Sequence, residues 1–241
     1  MRATILENPW IPHEPTPKQA EFLLMPDLEV LYGGSVGGGK SEALLMAALQ
    51  YVDVPGYAAI LFRRTYTDLA LPGALMDRAH EWLQGTEARW SEKNKTWTFP
   101  SGATLSFGYL ESENDKYRYQ SAEFQFIGFD ELTQFTETQY RYLFSRLRRL
   151  EGSSIPLRMR AASNPGGVGH EWVKQRFIVG DKPFVPASLD DNPHIDREEY
   201  VKSLIHLDPI TREQLLKGDW TARKAGNKFK REWFEIVDSY P

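Results

Sequence analysis

The chain has 241 residues, an apolar share of 41% and a net charge of −4. Such a length suits one large α/β domain or a core with a small appendage, and the apolar share can fill a sizeable core. The lack of cysteine excludes disulfides and thiolate metal centres, and the acidic balance excludes a surface coated with positive charge, though not local basic patches.

No apolar run is long enough to span a bilayer, and the N-terminal residues carry no secretory apolar region, so a soluble, cytoplasmic protein is expected. Residues 8–18 are proline-rich and read as an extended lead-in. Thr16-Pro17-Lys18-Gln19 then starts a helix, with Thr16 as cap and Pro17 in the first turn, running to about Leu24. An apolar run from Leu28 to Tyr32 predicts a buried strand, and Ser41 to Tyr51 is rich in strong helix formers. Between them lies Gly34-Ser35-Val36-Gly37-Gly38-Gly39-Lys40-Ser41, which fits the phosphate-binding template G-x-x-x-x-G-K-[ST] at every fixed position.

Ala58 to Phe62 predicts a second core strand, and Gly73 to Leu83 has helical periodicity. From Ala88 to Leu110 the pattern changes to alternation, with turn residues at Glu92–Lys95 and Pro100–Gly102, which predicts an inserted antiparallel meander. Phe124 to Phe129 is the next core strand, Thr138 to Leu150 a helix, and Leu157 to Ala162 a further strand. Three more helical stretches follow, Glu171–Ile178, Asp196–Leu207 and Thr211–Lys217, with prolines between them. The expected architecture is an α/β P-loop αβα sandwich with a mainly parallel sheet. Residues 1–167 form the core and 168–241 a small helical lid and linker. Arg146-Leu147-Arg148-Arg149, with Arg141 upstream, reads as a solvated helix end, with a pore-lining patch as the alternative.

Each candidate site residue follows from chemistry. The glycines let backbone N–H groups turn inward on an anion, and the following helix adds its unpaired N–H groups. Lys40 would reach the β/γ-phosphates and the Ser41 hydroxyl would ligate Mg²⁺. Phe126–Glu131 is an apolar strand ending in two carboxylates, at the edge where ligands collect in open α/β sheets. Asp130 would complete the Mg²⁺ shell and Glu131 would polarise a water for attack on the γ-phosphate. This pairing points to ATPases whose base is a glutamate on that strand. Ser163-Asn164-Pro165-Gly166-Gly167 closes the next strand; if the two strands are neighbours, Asn164 lies near the γ-phosphate as a sensor. Pro165 to Gly167 would then be a hinge. Positions 35–38 hold no arginine, so a charge-neutralising arginine must come from elsewhere. Arg118 is the first candidate, with Arg63, Arg64 and Arg146 as alternatives.

The ordered set Thr16–Gln19, Gly34–Ser41, Tyr117–Gln120, Gly128–Glu131 and Ser163–Gly167 resembles the large terminase subunit of tailed bacteriophages. The likeness runs from about residue 10 to 237 and is strongest at Phe129–Phe135 and Ala162–Phe177. That resemblance implies an ATP- and Mg²⁺-dependent packaging motor that drives double-stranded DNA through a portal protein into a capsid. It implies a small terminase subunit as partner, a homo-oligomeric ring (a pentamer), no membrane, and residence in the host cytoplasm. By the same resemblance Gln19 belongs to an adenine-recognising Q motif, Lys40 and Ser41 are the Walker A pair, and Asp130 and Glu131 are Walker B. Ser163-Asn164-Pro165 corresponds to the coupling motif, and Arg118 fits a trans-acting arginine. Large terminases usually carry a C-terminal nuclease domain as well; none is expected within these residues. Two other functions compete. One is a helicase-like or remodelling ATPase on the same core; the other is a small-molecule kinase, which needs an acceptor pocket and no Glu131.

Overall fold

Alternating burial on two faces organises the sheet. The computed structural model describes residues 8–222. Residues 223–241, the end of the expected lid and linker, lie outside the described residues, as do residues 1–7. The strands are β1 (Glu29–Gly34), β2 (Ala58–Arg63), β3 (Arg89–Ser91), β4 (Thr96–Thr98), β5 (Thr104–Tyr109), β6 (Phe126–Asp130), β7 (Arg158–Ser163) and β8 (Phe184–Ala187). They form one sheet in the order β3-β4-β5-β2-β6-β7-β1-β8. The pairings from β5 to β8 are parallel; β3–β4 and β4–β5 are antiparallel.

Along the central strands, neighbouring residues enter opposite cores, as a period of two requires. Val30, Tyr32, Ala59 and Leu61 face one layer with Phe22, Leu44 and Leu45. Leu31, Ile60, Phe62, Ile127 and Phe129 face the other, with Tyr140, Leu143 and Phe177. The helices of the first layer include α1 (Pro17–Leu24), α2 (Lys40–Leu49) and α4 (Leu75–Leu83), preceded by the short α3 (Tyr66–Ala70). The second layer holds α5 (Glu137–Phe144) and α6 (His170–Val173), which widens into a π-helical turn over Lys174–Val179. Two further helices, α7 (Arg197–Ser203) and α8 (Pro209–Lys217), complete the described chain. Thr16 caps α1 through a reciprocal box with Gln19 and Pro17 occupies its first position, as the sequence expects.

The expected meander over 88–110 is present as β3, β4 and β5, antiparallel in sequence, and its last strand also pairs in parallel with β2 along its whole length. Two elements differ from expectation. α5 stops at Phe144, since residues 146–148 bridge to Phe124 instead (Phe124 N–H to Arg146 O 3.0 Å, Arg148 N–H to Phe124 O 3.0 Å). The basic cluster is therefore a turn at Arg146 followed by extended chain, and an isolated bridge to Phe124 has overridden helix propensity there. Finally, residues 184–187, expected within the helical stretch, form β8 and pair in parallel with β1. Pro186 is compatible with that position because β8 is an edge strand.

Candidate nucleotide-binding site

β1 ends at Gly34, and the chain turns through Ser35–Gly39 before α2 begins at Lys40. Gly34 has φ 132°, and a Cβ there would lie 2.3 Å from the Ala187 carbonyl of β8. Only glycine lets the two strand ends run this close. Carbonyls of the loop are held outward: Tyr32 Oη donates to Gly38 O (3.1 Å), Asn192 Nδ2 to Gly37 O (2.6 Å) and Gln19 Nε2 to Gly39 O (3.0 Å). The N-cap of α2 is Gly39 and makes no side-chain cap bond. Its first-turn N–H groups remain available to an anion. Lys40 folds over the loop and donates to the Ser35 carbonyl. It is buried, and desolvation lowers its pKa to about 8 against the opposing pull of Glu131 and Asp130.

The carboxylates stand opposite. Ser41 Oγ donates to both oxygens of Asp130 (3.0 and 3.1 Å), and Arg63 at the end of β2 places Nε 3.3 Å from Asp130 Oδ2. Burial pushes the Asp130 carboxyl up, while Arg63, Ser41 and Lys40 pull it back. Glu131 is raised by burial and then by the Asp130 charge, with Lys40, Arg63 and the Asn164 N–H opposing. Its backbone is left-handed, at φ 55° and ψ 55°. A non-glycine residue in that region is strained, and such strain concentrates at functional sites.

β7 lies between β6 and β1 and pairs with both, so the neighbour condition for Asn164 is met. The corner is fastened to the turn after Glu131: Thr133 N–H donates to Ser163 Oγ (3.1 Å), and Ser163 Oγ donates to Thr133 Oγ1 (3.0 Å). Asn164 Oδ1 is buried and has no hydrogen-bond partner. Asn164 thus presents an unpartnered acceptor just beyond β7, the strand next to β1.

The family description "Terminase large subunit, T4likevirus-type, N-terminal" matches residues 31–236. The chain belongs to this terminase family. Among solved structures, the fold is similar to the large terminase of a thermophilic bacteriophage (TM-score 0.67, 14% identity, 85% of this chain and 53% of that one). It is also similar to the HK97 bacteriophage large terminase (TM-score 0.62, 11% identity, 86% and 51%). The ATPase domain of the Thermus phage P74-26 large terminase matches with TM-score 0.57 and 15% identity, over 88% of this chain and 96% of that one. The chain spans about half the length of the first two of these proteins. No curated protein matches the sequence.

Against the terminase expectations, the cradle, acidic pair and Ser163-Asn164 corner come together with Gln19 beside them, and Arg118 does not join them. Gln19 Oε1 accepts from Thr16 N–H (2.9 Å) in the α1 cap, and its Nε2 donates to Gly39 O (3.0 Å) at the loop. Arg118 is exposed, ion-pairs with Asp115 (3.0 Å) and sits 5.2 Å from the Tyr109 ring, with no contact to its own cradle. The arginine inside the cluster is Arg63. Arg64 instead donates to Leu110 O (2.7 Å) and Arg146 to Gln120 O. Sequence reasoning missed Thr133, which becomes visible only when β6 and β7 lie side by side. The donors that would hold Mg²⁺, the Ser41 hydroxyl and the Asp130 carboxylate, are oxygen ligands of the kind that ion takes alongside phosphates and water.

Proposed function

We propose that this chain is the ATP-hydrolysing motor part of a DNA-packaging terminase. The observation that carries this is the convergence of Lys40, Ser41, Asp130, Glu131 and Asn164 on adjacent strand tips, with Asn164 Oδ1 unpartnered. ATP enters with its phosphates over the loop N–H groups, and Lys40 exchanges the Ser35 carbonyl for phosphate oxygens. Ser41 and Asp130 would hold Mg²⁺, which when bound would supply charge neutralisation at the phosphates. Glu131 takes a proton as a water oxygen bonds to the γ-phosphorus; the bond to the β–γ bridging oxygen breaks, leaving ADP and phosphate. The raised proton affinity of Glu131 suits it to hold that proton. Arg63 neutralises charge from within the subunit, and Arg118 serves a neighbouring subunit of a ring.

Support for the nucleotide comes also from the large terminase of the thermophilic bacteriophage with TM-scores of 0.66 and 0.67, a structural relative solved with ATP-γ-S and with ADP. Double-stranded DNA, a portal protein and the small terminase subunit are the proposed partners, in the host cytoplasm. Among the described residues no helix is long and apolar enough to cross a membrane. Residues 188–222, which follow β8, act as the lid. Phosphate release from ATP without any acceptor is the test. Lys40→Ala and Glu131→Ala are both expected to abolish it, with Glu131→Ala still binding ATP; full turnover by Glu131→Ala would remove the assigned base.

A further inference from the structure

β7 carries two arginines on one face, two residues apart as the pleat requires, and both reach the segment that joins α1 to β1. Arg158 Nη1 donates to Pro26 O and, at 3.2 Å, to Asp27 O. Arg160 is only 2% exposed. Its Nη2 donates to the carbonyl of Met25, the residue that caps the end of α1 (2.8 Å). Its Nη1 donates to Asp27 O (2.9 Å), Met159 O (3.1 Å) and Leu28 O (3.4 Å), so all these partners are backbone carbonyls. Burial, and then the Arg158 charge, lowers its pKa to about 9, which leaves it charged at neutral pH. A buried cation held by carbonyls is a poor way to stabilise a core.

What the guanidinium touches next is closer to the site. Its carbon lies 5.8 Å from the Phe22 ring of α1. Phe22 packs on Tyr32 (5.2 Å, 38°), whose hydroxyl holds the Gly38 carbonyl, and the same helix sets Gln19 on the Gly39 carbonyl. We propose that Arg160 is a positioning residue for the phosphate loop: it fixes α1 and the Phe22–Tyr32 ring pair, and through them the outward turn of the Gly38 and Gly39 carbonyls. The assignment rests on the ATP-binding function above. Without that clamp the loop oxygens are free to rotate toward the anion and oppose its charge, where N–H groups should meet it. Arg158 fastens the same connection at Pro26 and Asp27, beyond the end of α1, and so provides the structural comparison.

Binding of ATP with Mg²⁺ and unfolding in denaturant, measured on the same variants, separate the two roles. Arg160→Met keeps a long side chain and removes the fork; ATP affinity is expected to fall about fivefold, a size common among residues of one contact network. Arg158→Met should lose stability with ATP affinity unchanged. Tyr32→Phe deletes the hydroxyl that holds Gly38 and should weaken ATP by itself. In that background Arg160→Met should add no more than about a twofold loss, because part of the path is already cut. An Arg160→Met protein that behaves like Arg158→Met, or that adds its full factor to Tyr32→Phe, overturns the assignment. If Arg160→Met does not fold, Arg160→Lys, which keeps the charge without the fork, decides: it should also weaken ATP, and unchanged affinity overturns the role. Lys40→Ala controls the premise: if it leaves ATP affinity intact, the nucleotide function itself fails, whatever Arg160 does.

Discussion

Burial lowers the Lys40 ammonium to about 8 while the neighbouring carboxylates hold it up, so its charge is lost just above neutrality unless phosphate restores it. Below pH 8 the lysine enters the complex already charged; above it, ATP binding must take up a proton. ATP affinity should therefore fall by up to about tenfold per pH unit above 8, and Lys40→Arg, charged throughout, should abolish that slope. Titrations from about pH 7 to 9.5 decide; a flat wild-type profile removes the lysine from the phosphate site. Asn164 gives the opposite contrast between stability and activity. Its Oδ1 bonds to nothing, so Asn164→Ala should change unfolding free energy by less than about 0.5 kcal/mol while ATP turnover falls sharply. A large loss of stability with unchanged turnover would make it a structural corner and nothing more.

At the scale of elements, β1 and β8 approach so closely at Gly34 that any side chain strikes the Ala187 backbone. Gly34→Ala combines a forbidden backbone angle with that collision and should cost on the order of 3 kcal/mol, with loss of nucleotide binding. Denaturant unfolding with a wild-type midpoint would contradict the packing described. The loop, the apolar strand ending in Asp130-Glu131 and the Thr16–Gln19 cap were legible in the chain because each is local chemistry: glycine torsions, a strand's carboxyl end, a helix start. β8 was not, since a four-residue strand containing Pro186 has no period of its own and exists by pairing with β1. Neither was the outcome at Arg146–Arg149, where a bridge to Phe124 outweighs helical propensity. Gln19 was legible too as part of the same helix start, and its amide reaches from that cap to the Gly39 carbonyl of the loop.

For the whole molecule the two arginines make different demands. Arg63 belongs to the same cluster as Lys40, whereas Arg118 is exposed and held in an ion pair with Asp115. If Arg118 completes a neighbour's site, mixing Arg118→Ala with Lys40→Ala protein should restore turnover that neither variant shows alone, because some interfaces then unite an intact cradle with an intact arginine. Arg63→Ala mixed with Lys40→Ala should recover nothing. Full activity of Arg118→Ala by itself would end its proposed role.

The last helix also constrains how far this protein can move. Val36 N–H donates to Leu215 O of α8 (2.8 Å), and a Cβ on Gly218 would come within 2.6 Å of the Gly34 backbone. Residues 188–207 thus form a strap fastened at both ends, by β8 on one side and α8 on the other. A strap of that kind can arch or flatten, but it cannot swing through a wide arc. Each turnover would then produce a short, stiff displacement, and the tether that limits its reach also keeps it in register with the phosphates.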